Sequence, residues 1–236
     1  MKEEIIRFES YDLSAAGFVR PSAIMRRMQQ IARDDLADFG ITYEDMRAKN
    51  MAFVVSKIAL DFVRPVQGEV NLVLKSAANP THGVTFPRSF TLSDEKGVCM
   101  RAMSLWALVD FENRSLLRPS ALWEEIPSFP DLSDGLLCER LSKPTELPDL
   151  SDERRVYPSM LDQNHHLNNC NYADLATDLL PDLCSQVKTL HLTFQHEALL
   201  GEVLHIEGFG KEKEYLVSGS FTLREGTCFL CKIHLF

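Results

Sequence analysis

The sequence has no run of about 18 apolar residues, the length that a membrane-spanning helix needs. Its first residues, MKEEIIRFESYD, lack the basic and apolar regions of a secretory signal peptide. Cysteine is also scarce, with 6 in 236 residues, which is too few for a disulfide scaffold. We therefore expect a cytoplasmic protein with no membrane partner.

The cysteines are expected to be mostly buried thiols. Cys228 and Cys231 form a lone CxxC, but this pair lies in a strand-like stretch and has no second pair of ligands, which disfavours a metal or redox site. The others are Cys99, Cys138, Cys170 and Cys184.

Basic residues are outnumbered, with 25 Lys and Arg against 34 Asp and Glu, for a net charge of −9. This balance makes the chain a poor candidate for binding a phosphate backbone, so no nucleic-acid partner is expected. An acidic partner would need a local basic patch. Candidates are the arginines near the first predicted helix and before the predicted linker: Arg20, Arg26, Arg27, Arg33, Arg114 and Arg118.

What is present, 45% hydrophobic and 25% charged residues, is typical of a folded globular protein. Five prolines fall between positions 119 and 148. They predict a linker over 119–150, which separates an N-terminal domain, 1–118, from a C-terminal domain, 151–236.

The two predicted domains share three sequence matches in the same order, which indicates a duplication. The first match pairs YDLSAAGFVRPSAIM with LDQNHHLNNCNYADL, aligned on Asp12 and Asp162. The second pairs LDF at Leu60 with LTF at Leu192, followed by GEV at Gly68 and again at Gly201. The third is SFTL, at Ser89 and Ser220. The second copy gains one residue before Gly201, which suggests a β-bulge near Glu197.

Each copy reads as a strand, a helix and then several antiparallel strands, an α+β architecture. In the first copy, Ser22 is a candidate helix cap and Gly40 a candidate stop. We expect the sheets of the two copies to pair into one.

Aligned on Asp12 and Asp162, the copies differ in chemistry. Ser14 then lies opposite Asn164, Ala16 opposite His166, and Pro65 within a residue of Glu197. Core packing does not require this asymmetry, whereas a single active site in the second copy would produce it.

The segment DQNHHLNNCNY resembles a motif of the acyl-acyl carrier protein (acyl-ACP) thioesterases, whose places are filled here by Asp162, Asn164, His166, Asn168 and Asn169. The segment LTFQHEALLGEVL is similar to the family strand that ends in a catalytic Glu, here Glu197. The family often has a Cys next, but this chain has Ala198. The resemblance implies two fused hot-dog domains, a long helix wrapped by antiparallel sheet in each, and hydrolysis of fatty acyl-ACP to free fatty acid, with ACP as the partner.

The resemblance also implies roles for these residues. Glu197 would be the general base for water or the direct nucleophile, and both roles stay open. Asp162 and His166 would position and polarise it, while Asn164 would orient water or stabilise the oxyanion. Asn168 and Asn169 would satisfy backbone groups at the turn. No cofactor is expected.

Cys170 is an alternative nucleophile four residues after His166, but its place on an apolar helix face favours packing. His191 and His196 flank the strand that leads to Glu197 and are minor candidates for the site.

Seven of the eight methionines lie in the first 103 residues. We hypothesise that the first domain is the acyl-chain pocket, with core packing as the alternative. Its candidate lining residues are Met25, Met28, Met51 and Met103. The sequence leaves open a homodimer, an acyl-CoA thioesterase or dehydratase of the same fold, and a non-catalytic acyl-carrier-binding module.

Overall fold

The computed structural model describes residues 1–180 and 187–236. The first half contains β1 (Lys2–Arg7), α1 (Pro21–Asp38), α2 (Tyr43–Ala48), β2 (Met51–Phe62), β3 (Asn71–Ala78), β4 (Thr85–Asp94), β5 (Gly97–Asp110) and β6 (Ser115–Leu117). The second half contains β7 (Leu150–Arg155), α3 (Asn171–Asp178), β8 (Val187–Phe194), β9 (Val203–Lys211), β10 (Glu214–Phe221) and β11 (Thr227–Leu235).

Helix α1 begins one residue earlier than the predicted cap. Pro21 occupies its first turn, where proline costs no hydrogen bond, and Ser22 is buried inside the helix, so the prediction of Ser22 as cap was wrong. The predicted stop is present: Gly40 has φ of +75°, the left-handed conformation that glycine adopts without strain after a helix.

All strands pair antiparallel in one sheet of order β1-β3-β4-β5-β2-β8-β11-β10-β9-β7, with β6 attached to β5. Each half has the same internal order, and the halves meet where β2 pairs with β8. Apolar faces of α1 and α3 pack with the sheet in the main hydrophobic core, to which both halves contribute. The predicted fold of two tandem hot-dog domains with a shared sheet is therefore confirmed.

The pairing of β2 with β8 reveals an approximate twofold axis. Ala59 pairs with His191, and on either side Ile58 faces Leu192 while Leu60 faces Leu190. The sequence match makes Leu60 equivalent to Leu192. If the two halves are exchanged, the pair Ile58–Leu192 therefore becomes the pair Leu60–Leu190, which is also present. The LDF alignment therefore agrees with the structure.

The alignment on Asp12 and Asp162 is shifted by two residues. In the first half, Ser14 N–H donates to Phe18 O and Gly17 N–H to Ser14 O; in the second, Asp162 N–H donates to His166 O and His165 N–H to Asp162 O. The true counterparts are therefore Ser14 and Asp162, Ala16 and Asn164, and Phe18 and His166. The second half has two more residues between the turn and α3 than the first half has before α1, so the offset of 150 that aligns Asp12 with Asp162 also aligns the helix starts but not the turns.

The bulge near Glu197 is present, but its predicted cause was wrong. The N–H groups of Gln195 and His196 both donate to Cys228 O, so two residues oppose one. The first half has the same feature, with Val63 and Arg64 opposite Cys99. An insertion in the second half is therefore not its origin.

The GEV and SFTL matches are shifted in the structure as well. Gly201 corresponds to Glu69, since their N–H groups donate to Val156 O and Phe8 O, which directly follow the equivalent strands β7 and β1. Ser220 corresponds to Ser93, because the pairing register shifts directly before Ser220 in the β10–β11 hairpin and directly before Ser93 in the equivalent β4–β5 hairpin. The two halves therefore share one fold, but the residues aligned by these two short sequence matches are not the residues that occupy equivalent positions in the structure.

Between Leu122 and Asp149, all of which the structure describes, the chain forms no helix or strand. This connection packs Leu122 and Ile126 against a second apolar cluster that includes Ile41 and Phe86. Within residues 1–180 and 187–236, no helix is long and apolar enough to cross a membrane.

The cysteines that the structure describes are free, and Cys99, Cys170, Cys228 and Cys231 are buried while Cys138 is half-buried. Burial raises the pKa of Cys228 to about 12 and also raises that of Cys231. Cys184 lies outside the described residues.

Candidate active site

A tight turn presents the motif residues of the second half. Asp162 Oδ1 accepts hydrogen bonds from the backbone N–H groups of Asn164, at 2.8 Å, and His166, at 3.3 Å. His165 takes φ of +65° to complete the turn and its side chain is exposed. The Asp162 carboxylate therefore shapes the turn that carries Asn164 and His166, which differs from the predicted role of polarising Glu197 directly.

Backbone pairing brings Glu197 to this turn. His166 forms an antiparallel bridge with Leu199, and Leu167 N–H donates to Ala198 O at 2.8 Å. As a result, His166 Nε2 lies 3.2 Å from Glu197 Oε2. The side chains are 32% and 59% exposed, respectively, so solvent water reaches both. A carboxylate in contact with an imidazole and with water can take a proton from that water.

An ion pair that the sequence reasoning missed holds the Glu197 segment. Arg224 Nη2 donates to Glu197 O at 2.6 Å, and its Nε donates to Glu202 Oε1 at 2.7 Å. Glu202 Oε2 in turn accepts from Leu199 N–H at 2.8 Å. Desolvation raises the pKa of Glu202, but the hydrogen bonds from Arg224 and Leu199 outweigh it and lower the pKa overall. Nothing in the local sequence around Arg224 signals this contact.

Beside the turn lies a cavity of about 580 Å³. Its wall is mainly apolar and comes mostly from the first half, with further residues from the connecting segment 119–128, while the second half contributes Asp162, Asn164 and Asn169. His166 and Glu197 do not line it. His166 lies two residues after Asn164 on the turn, and Glu197 contacts His166 from the paired segment. Apolar lining residues include Leu36, Ile41, Met46, Phe53, Phe86 and Trp106.

Of the four methionines predicted to line a pocket, Met51 is on the cavity wall. Met25 and Met28 are fully buried in the main hydrophobic core, and Met103 is buried without lining the cavity. Met46, in α2, is a lining residue that the prediction did not include. Sequence alone could not separate cavity from core, because both are apolar and both accept methionine.

A buried ion pair also belongs to the cavity wall. Arg88 lines the cavity, and its Nη1 donates to Asp35 Oδ2 at 2.6 Å and to Ser76 Oγ at 2.8 Å. Desolvation lowers the pKa of Arg88, although Asp35 opposes that shift. Sequence reasoning missed this pair, because its partners lie on an amphipathic helix and a strand far apart in the chain.

The residues after the turn divide between structure and cavity. Asn168 Oδ1 accepts from Cys170 N–H at 2.9 Å, whereas Asn169 lines the cavity. Cys170 is buried, and desolvation raises the pKa of its thiol to about 12. The thiol is therefore protonated at neutral pH and is a poor nucleophile.

The two histidines near the Glu197 strand are engaged elsewhere. His191 is buried in β8, where desolvation lowers its pKa, and its Nε2 lies 3.5 Å from Glu139 Oε1. His196 Nδ1 lies 2.8 Å from Thr227 O. Among the residues that the structure describes, no three or more His, Cys, Asp or Glu side chains form a group suited to a metal ion.

The corresponding place in the first half has lost this chemistry. Its turn carries Ser14, Ala16 and Phe18 in place of Asp162, Asn164 and His166. Pro65 takes the place of Glu197, because Val19 N–H donates to Val66 O in the first half as Leu167 N–H donates to Ala198 O in the second. The small cavity beside this turn has a volume of about 240 Å³.

A family model, the acyl-ACP thioesterase N-terminal domain, matches residues 3–127, more than half of the chain. The chain belongs to the acyl-ACP thioesterase family. It is a thioester hydrolase. The match ends at residue 127, before the turn that begins at Asp162. The assignment of the site residues therefore rests on the distances and hydrogen bonds around that turn.

Solved structures agree with this fold. The chain is similar to a 12:0-ACP thioesterase from Umbellularia californica, with 15% identity and a TM-score of 0.83 over 100% of this chain and 96% of that one. An acyl-ACP thioesterase from Bacteroides thetaiotaomicron has 16% identity and a TM-score of 0.80, over 100% and 97%. A MaoC-like dehydratase from Phytophthora capsici has 13% identity and a TM-score of 0.56, over 78% and 69%. A comparison with curated proteins finds no match.

Proposed function

We propose that this acyl-ACP thioesterase family member hydrolyses fatty acyl-ACP and releases the free fatty acid. The observation that carries the proposal is the continuity of the site. A mainly apolar cavity of about 580 Å³ is lined at one place by Asp162 and Asn164, and the same turn leads to the pair of His166 and Glu197. An alkyl chain in the cavity would place its thioester at the turn.

In this mechanism the Glu197 carboxylate removes a proton from water, which attacks the thioester carbon, or it attacks that carbon itself. His166 Nε2–H holds the carboxylate in place at 3.2 Å. Asn164 donates an amide N–H to the oxyanion of the tetrahedral intermediate. The carbon–sulfur bond then breaks. In the first route, the proton that Glu197 took from water passes to the leaving thiolate. In the second route, the thiolate leaves behind an acyl anhydride on Glu197, and water hydrolyses this anhydride to the free fatty acid and supplies the proton for the thiolate.

The proposed division of labour follows the two halves. Residues 1–118 form the domain that holds the acyl chain, 119–150 form a linker, and 151–236 form the catalytic domain. Of the four methionines predicted to contact the acyl chain, Met51 lines the cavity, which supports that role for it.

Basic side chains near the cavity support an acidic carrier protein as the partner. Arg33 lines the cavity beside Tyr43, and Arg47 lies over the same tyrosine ring, with 6.0 Å from Arg47 Cζ to the ring centroid. Lys49 follows α2 and lies over Trp123. The cavity wall also carries Glu124 and Glu125, and the net charge is −9, so these individual cations, and not a net positive surface, would steer an acidic partner.

The experiment is thiol release from acyl-ACP substrates of increasing chain length and from the matching acyl-CoA esters, with Asp162→Ala as the inactive control. We expect release from acyl-ACP with a higher kcat/KM than from acyl-CoA, and little release by the variant. A higher kcat/KM for acyl-CoA would make coenzyme A, and not ACP, the carrier of the substrate. An enoyl product would indicate a dehydratase. Binding without thiol release would indicate a carrier-binding module.

A further inference from the structure

One side chain of the first half reaches the catalytic turn of the second. Tyr43, the first residue of α2, donates its phenolic O–H to Asn164 Oδ1 at 3.0 Å, across 121 positions of sequence. Both residues line the cavity. The first half therefore supplies more than an apolar wall.

The tyrosine ring is itself held in place. The Arg33 guanidinium carbon lies 5.3 Å from the ring centroid and that of Arg47 lies 6.0 Å away, distances at which a cation attracts an aromatic face. Thr42 caps α2 directly before the tyrosine, accepting the Asp45 N–H at 3.1 Å. The hydroxyl thus approaches Asn164 from a short helix with a fixed start.

The chemistry of a primary amide gives this contact a consequence. Asn164 has one acceptor oxygen and an NH₂ group with two donors. When the oxygen accepts from Tyr43, the amide can no longer turn its oxygen toward the substrate, and its NH₂ becomes the end presented there. A preorganised donor is what an oxyanion requires, because it needs no reorientation as charge develops.

We propose that Tyr43 is a positioning residue that fixes the Asn164 amide in its donating orientation. The proposal rests on the proposed function, in which Asn164 donates to the oxyanion. Tyr43 does not itself touch the reacting atoms in this scheme, and its effect passes entirely through Asn164.

The test is a double-mutant cycle on thioester hydrolysis with the full chain. Tyr43→Phe keeps the ring and its cationic neighbours but removes the donor. We expect kcat to fall by about three- to tenfold, the fold-change that corresponds to one hydrogen bond, with KM nearly unchanged. In an Asn164→Ala background, Tyr43→Phe should have no further effect.

Two control variants separate positioning from general structure. Asn164→Asp keeps an acceptor for Tyr43 but has no N–H to donate, so its kcat should fall as far as that of Asn164→Ala. Tyr11→Phe removes the hydroxyl of an exposed tyrosine of the same half and should leave kcat unchanged. Circular dichroism and the unfolding midpoint check that each variant folds.

Each outcome decides the proposal. Wild-type kcat in folded Tyr43→Phe would overturn it, and so would an equal further loss in the Asn164→Ala background or a rise confined to KM. If the wild-type chain hydrolyses no acyl thioester, the proposed function fails and this inference fails with it. An active wild type with an unaffected Tyr43→Phe refutes the inference alone.

Discussion

The two turns of the duplicated fold have the same backbone and different chemistry. Ser14 N–H and Asp162 N–H each donate to the residue four positions later, and positive φ follows at Gly17 and at His165. In the second half, the Asp162 carboxylate bonds two backbone N–H groups of its turn. In the first half, Ser14 Oγ is buried and finds no partner among the described residues. The backbone of the turn thus persists without the catalytic side chains.

The two halves share the backbone of this turn but differ in the side chains that they place on it. The second half keeps His166 and Glu197 in contact, and the first half has Phe18 and Pro65 at those places and builds the larger cavity. The larger cavity needs both halves, since Asp162 and Asn164 line it together with residues of the first half and of the segment 119–128 that follows it.

The largest expected effect comes from making the second turn like the first. His166→Phe installs the residue of the first half and removes the partner of Glu197. We expect turnover to fall by about 10²–10⁴-fold, the usual contribution of acid–base residues, in a steady-state thiol-release assay. His165→Gly, which installs the first-half residue at the adjacent position with positive φ, should stay near wild type. Loss in both variants would point to a folding defect instead.

The buried ion pair of the cavity wall belongs to the first half. Arg88 lies five residues before Ser93, and the residue five before the equivalent Ser220 is the half-buried Tyr215. Asp35→Ala would leave the Arg88 charge buried and unpaired. We expect the free energy of unfolding to drop by about 3–5 kcal/mol in urea titrations, with partial recovery in Asp35→Ala/Arg88→Met. Asp38→Ala, at the exposed end of the same helix, should cost about 0–1 kcal/mol. Equal losses at both positions would contradict the account.

The cavity wall can be separated from the core with methionine variants. Met51→Trp fills part of the cavity and should shift preference toward shorter acyl chains, at about 1–3 kcal/mol in kcat/KM for each methylene that no longer fits. Met28→Leu alters the core alone and should leave the chain-length profile unchanged, at a cost of under about 1.5 kcal/mol in stability. An unchanged profile for Met51→Trp would remove the cavity from substrate binding.

The smallest effect is expected at Cys170. Its thiol has a pKa of about 12, so the fraction of thiolate at neutral pH is negligible. Cys170→Ser should therefore keep near wild-type turnover in the thiol-release assay. Abolished turnover in a folded Cys170→Ser would make the thiol, and not Glu197, the nucleophile.

The sequence predicted the duplication and the shared sheet, because turn and strand patterns record local conformation. The resemblance to the family, and not these patterns, implied that His166 positions Glu197. It misplaced the register of the turns, since two residues before α3 have no counterpart in the first half. Tyr43, Arg88 and Arg224 were missed because each meets its partner through tertiary packing, which a linear pattern does not encode. The methionines divided between core and cavity for the same reason.

The most direct test of the central claim is thiol release by Glu197→Gln. Glutamine keeps the shape and a hydrogen-bonding oxygen for His166, but it can neither accept a proton from water nor attack a thioester. A single carboxylate-dependent site in the second half predicts a loss of about 10²–10⁴-fold with an unchanged unfolding midpoint. Turnover close to wild type in the folded variant would contradict that claim.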